Sequence, residues 1–107
     1  MPLEVESLAG QMIQAGRTMT GDIWEKMSTF AIPELRKIAT QIVAIAENAD
    51  AFTPAGAKAL LDMQVKASLG IIAGMTELTL LAVQTAINAI LDAVRGVVNG
   101  AIGFGLL

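Results

Sequence analysis

Apolar and small residues recur three and four positions apart along most of this chain, the spacing of one buried face of an α-helix. In the first segment Val5, Leu8, Met12, Ala15 and Met19 follow it and predict a helix over residues 3–19. Gly10 and Gly16 weaken that helix by up to about 1 kcal/mol each relative to alanine, so it needs a packing partner. Gly21-Asp22 reads as a helix stop followed by a start, with Asp22 placed to cap and Glu25 placed to reach back as a capping box. Ile23, Met27 and Phe30 then share a side, with Trp24 beside Ile23. Pro33 removes the bond to the Thr29 carbonyl and biases Ile32 towards an extended conformation, which predicts a kink or brief break at 29–33. Beyond it Leu35, Ile38, Ile42, Ile45 and Ala49 resume the seam, so the second helix is expected over 22–49, kinked near Pro33.

Thr53 and Pro54 announce the third segment, threonine as an N-cap and proline at the first helical position. No proline follows, and the periodicity predicts one helix over 54–101, roughly 70 Å at 1.5 Å per residue. Lys58, Asp62 and Lys66 stand four apart as a solvated face, and Glu77, Gln84, Asn88, Asp92, Arg95 and Asn99 continue a narrow, slowly winding polar stripe. Two ridges run beside it. Leu80, Val83, Ile87, Ile90, Val94 and Val97 are large, whereas Ala82, Ala86, Ala89, Ala93, Gly96 and Gly100 are small and would let another backbone approach. Gly70 and Gly74, like Gly96 and Gly100, also match the small-xxx-small spacing.

A connection of a few residues between 49 and 54 makes antiparallel neighbours. The first two helices laid end to end would span about 65 Å. The expected architecture is therefore all-α: an elongated helical hairpin, one long C-terminal helix packed by a shorter N-terminal helix and a Pro-kinked second helix, as a single all-helical domain over 1–107. The compact alternative has four helices, with the third segment bent at Gly70 or Gly74. A helix of that length exceeds what a compact 107-residue domain, about 13 Å in radius of gyration, can cover. The extended reading thus places the chain within a larger helical assembly.

Composition sharpens that expectation. Hydrophobic residues make up 54% and charged residues only 16%, against roughly 25% in an ordinary globular domain, so surface is scarce. The mean hydropathy is +0.63. A net charge of −3, with seven unclustered Lys and Arg, argues against nucleic acid. There is no Cys, His or Tyr, which removes the common triads, thiol proteases and His- or Cys-based metal sites. The acidic pairs Glu4/Glu6 and Glu47/Asp50 read as a first helical turn and a loop edge, and no phosphate-binding glycine loop is present. These features predict a protein that is not an enzyme and needs no cofactor.

Glu77 is the only charge between Lys66 and Asp92. It is either an acid on the exposed polar stripe, the reading its neighbours Thr76 and Thr79 favour, or a lumen or membrane carboxylate. Met12, Met19, Met27, Met63 and Met75 read as gap-filling core residues rather than an adaptable binding surface. Trp24 reads as packing rather than a membrane-interface anchor. The uncharged tail 100–107 has three outcomes: insertion into lipid, burial against another subunit, or folding back on its own chain. The first residues carry neither the basic start nor the apolar core of a signal peptide, which leaves leaderless export or an envelope or virion association open.

The stretch Asp62-Met63-Gln64-Val65-Lys66-Ala67-Ser68 resembles, with one residue inserted, a helical stretch of small flagellar rod-junction proteins. The alanine-rich composition is similar to that of small subunits of bacterial R-body ribbons, without their glutamine-rich run. Neither resemblance implies a site. The functional expectation is a structural subunit that packs with copies of itself or a related helical chain into a tube, filament, ribbon or ring. Its self-association surface would be the two ridges together with Gly70 and Gly74. The alternative is a membrane-inserted hairpin or pore former contacting lipid through residues 67–91 and the tail, though Glu77, Gln84 and Asn88 make a poor solitary span.

Overall fold

In a computed structural model, which describes residues 3–107, the chain forms α1 (Val5–Arg17), α2 (Ile23–Glu47), a 3₁₀ turn (Ala49–Ala51), α3 (Pro54–Met75) and α4 (Leu80–Ile102). The all-α class stands, and local chemistry accounts for most of the ends. Thr18 closes α1, its amide on Gln14 O at 3.2 Å and its hydroxyl on Ala15 O at 2.9 Å. Gly21 follows at φ +83°, a backbone region costly for residues with a Cβ. Thr53 caps α3 by accepting the Gly56 N–H at 3.0 Å, and Pro54 occupies the first turn.

Two local expectations are corrected. The capping box does not form: Asp22 makes no side-chain cap bond and instead pairs with Lys26 at 3.3 Å. Of the kink or break expected at Pro33, the break does not occur, since α2 runs through it from Ile23 to Glu47. Pro33 and Thr29 both lie on the exposed side, so the carbonyl that loses its partner faces water and the buried side keeps its packing.

The larger correction concerns the helix expected over 54–101. It is interrupted between Met75 and Leu80, and not at Gly70 or Gly74, which both lie within α3. Two threonines make the break. Thr76 donates its hydroxyl to Ile72 O at 2.8 Å and accepts the Leu78 N–H at 3.3 Å, which ends α3. Thr79 accepts the Ala82 N–H at 3.1 Å, which starts α4. The elongated hairpin therefore gives way to the four-helix alternative, and the molecule measures 40 × 23 × 18 Å with a radius of gyration of 13.4 Å.

The helices pack in a ring: α1 on α2, α2 on α3, α3 on α4 and α4 back on α1, with α2 also touching α4 across the middle. The core draws Leu8 and Met12 from α1, Met27, Leu35, Ile38, Ile42 and Ile45 from α2, Ile72 from α3, and Val83, Ile87, Ile90 and Val94 from α4. Full burial of such a side chain contributes about 1.5–3 kcal/mol. Once α3 and α4 fold against each other, the chain supplies its own cover for the ridge that a continuous rod would have left bare.

Candidate functional site: the α3–α4 corner and the outer face of α4

Ile71 and Met75 lie one turn apart on α3, and Leu80 and Leu81 open α4, so the turn between the helices collects four large apolar side chains at one corner. All four are exposed, Leu81 at 72% and Met75 at 59%. Met63 on α3 and Val97 on α4 are exposed farther away, whereas Met12 and Met27 are in the core, which divides a methionine set that the sequence treats as one class. Glu77 sits in the corner turn and not on a helical stripe. It is exposed and borders a cleft of about 360 Å³ with Lys26, Phe30, Met75, Thr76 and Leu78.

The two ridges of α4 have different surroundings. Of the large one, Val83, Ile87, Ile90 and Val94 are buried in the chain's own core, while Leu80 and Val97 remain exposed. Of the small one, Ala86 is buried and Ala82 half-buried, and Ala89, Ala93, Gly96 and Gly100 face outwards. Gly70 and Gly74 are likewise exposed on α3. A Cβ placed on any of these four glycines would meet open space. Ala89, Ala93, Gly96 and Gly100 thus form a strip of small exposed residues on α4 beside the polar positions Gln84, Asn88, Asp92 and Arg95, the last two paired with each other.

Sequence reasoning missed two polar arrangements. Glu34 is 4% exposed between α2 and α3, where it accepts the Ser68 hydroxyl at 3.0 Å and pairs with Lys37 at 2.9 Å. Gln64 donates in turn to the Ser68 oxygen at 3.1 Å. The signal was phase: Glu34 stands three after Ala31 and four before Ile38, and Ser68 four before Ile72, all buried positions. The second is Asn99, which does not lie on a solvated stripe. Its Oδ1 accepts the amides of Leu106 and Leu107 at 2.9 Å each, and its Nδ2 donates to Leu107 O at 3.2 Å. Of the three outcomes for the tail, folding back on its own chain is the one observed, with Leu106 buried.

Among the described residues no three acidic side chains gather into a group that could hold a metal ion. Glu6 pairs with Arg36, and Asp62 with Lys66 at 3.2 Å. By length and composition α4 is apolar enough to cross a membrane, and 33% of its most apolar window is buried in the fold. Comparison with protein families, with curated proteins and with solved structures finds no match to this chain.

Proposed function

We propose that this protein is a non-enzymatic structural subunit that associates with copies of itself, with the α3–α4 corner and the outer face of α4 as the contact. The observation that carries the reading is the corner, where Ile71, Met75, Leu80 and Leu81 stand exposed together at the end of an uncharged strip. Burying such side chains between copies is favourable by about 25 cal/mol per Å² of apolar surface, and the small residues alongside let two helices approach. If the corner meets its own counterpart, the product is a closed dimer. If it meets a different surface, copies add in a line or ring, giving a filament, ribbon, tube or closed ring. Size-exclusion chromatography with light scattering tests this: the native chain elutes above 11 kDa, and Leu81→Asp shifts it towards the monomer with helix content retained. A concentration-independent native monomer overturns the reading.

A membrane reading is favoured by the distribution of charge on α3 and α4. Residues 67–91, the parts of α3 and α4 next to the corner, carry only Glu77, and Lys58, Asp62 and Lys66 on one helix and Asp92 and Arg95 on the other lie beyond them. A hairpin so built could insert corner first. Flotation with lipid vesicles separates the two: a self-associating subunit stays with the aqueous protein, and an inserting hairpin floats.

A further inference from the structure

We infer that Asn99-Gly100 is a self-modification site gated by residues 103–107: while that segment is docked the asparagine is held unreactive, and once it leaves, Asn99 converts to an acid and the segment loses its clamp. An asparagine carboxamide is open to attack by the backbone nitrogen of the residue that follows it. Glycine in that place leaves the approach unhindered, because it has no Cβ. Of the three asparagines in the chain, Asn48 and Asn88 precede alanines and only Asn99 precedes a glycine. The fold treats them differently as well. Asn48 and Asn88 are exposed, whereas the one with the reactive neighbour is half-buried.

Several restraints meet at Asn99. Its carboxamide is turned to the returning segment, with Oδ1 accepting the amides of Leu106 and Leu107 at 2.9 Å each and Nδ2 donating to Leu107 O at 3.2 Å. Its carbonyl accepts the Gly103 N–H at 2.9 Å, where φ +94° reverses the chain. Gly100 lies inside α4, so its N–H is engaged by the carbonyl one turn back and its nitrogen is not free to attack. The buried Leu106 side chain anchors the arrangement. A last helical turn is the part of a helix that opens first, and this one loses its cover when Leu106 leaves.

In the opened turn the Gly100 nitrogen gives its proton to solvent and bonds to Asn99 Cγ. The Cγ–Nδ2 bond breaks, and Nδ2 takes a proton from water and departs as ammonia. Water then opens the cyclic imide at either carbonyl, which yields aspartate or isoaspartate with no oxidant or reductant. Both products lack the Nδ2–H that donates to Leu107 O and carry a carboxylate instead. Isoaspartate also routes the backbone through the former side-chain methylene, which lengthens the last turn. The segment is held less firmly after either outcome, so Phe104, Leu106 and Leu107 are left more exposed. Loss of ammonia makes the change one-way.

Incubation at mildly alkaline pH, followed by peptide mass spectrometry that separates asparagine, aspartate and isoaspartate at each position, tests this. Conversion at Asn99 is expected to be several-fold slower in the folded native chain than in the same chain unfolded in guanidinium chloride. Leu106→Asp should accelerate it several-fold with helix content retained by circular dichroism, and Leu106→Ala, which only shortens the anchor, should lie between. Gly100→Ala should suppress it, since the added Cβ meets open space in the fold and hinders the attack. In the converted native chain the amides of Leu106 and Leu107 should exchange faster than before conversion. A folded native chain that converts as fast as the unfolded one overturns the gate. So do Leu106 variants that convert at the native rate, which would leave α4 by itself as the protection. Unchanged exchange at Leu106 and Leu107 after conversion overturns the loss of the clamp.

Discussion

At Gly16 a single hydrogen stands where any other residue would place a carbon 2.4 Å from the ring of Trp24. The ring is half-buried at the start of α2, so this glycine permits the close approach of the first two helices. Gly16→Ala is expected to cost about 1–3 kcal/mol, the range for overpacking a filled site. Trp24 is the only tryptophan, so its emission reports the displaced ring while denaturant unfolding reports the loss. Gly10, also within α1, has open space where a β-carbon would stand. Gly10→Ala should therefore raise stability by up to about 1 kcal/mol through helix propensity alone. Equal effects at the two positions would contradict this account of α1.

The division between α3 and α4 is decided at the scale of the element. It contains no proline or glycine, and two threonine hydroxyls perform the stop and the start. Thr79→Ala removes the cap of α4 and should cost about 0.5–2 kcal/mol, with faster amide exchange at Ala82, whose N–H loses its partner. A variant with unchanged exchange at Ala82 would mean that packing alone holds the helix start. Pro33 shows the opposite balance, since α2 tolerates a proline on its exposed side while Leu35, Ile38 and Ile42 keep the buried side in phase.

For the whole molecule, folding at residues 76–79 changes which surface is left for others. The buried large ridge of α4 is committed to the chain's own core, and the small outward strip is what remains for close approach. Ala89→Leu leaves the isolated fold undisturbed, because Ala89 is exposed, yet it should weaken association by about 1–3 kcal/mol at each copy of the contact. Sedimentation velocity across a concentration series measures this. If Ala89→Leu associates like the native chain while Leu81→Asp does not, the contact is confined to the corner and the strip faces water.

Helical periodicity and cap chemistry by themselves determined the all-α class, the positions of α1 and α2, the Thr53-Pro54 start, and the common face of Val83, Ile87, Ile90 and Val94, which was expected to meet other copies and which the fold buries in the chain's own core. Those features depend on residues within a turn or two of one another, which the sequence displays directly. The break at Thr76–Thr79 was less legible because threonine is compatible with both helix and cap; its choice depends on whether Leu78, Val83 and Ile87 gain more by turning back onto the core than by running on. The burial of Glu34 beside Ser68 and the clamp of Asn99 on Leu106 and Leu107 involve groups that meet only after the helices pack or the chain reverses. Periodicity assigns a residue to a face, but what lies opposite that face is settled by tertiary structure, because apolar surface is buried against whichever neighbour the chain's own turns bring within reach.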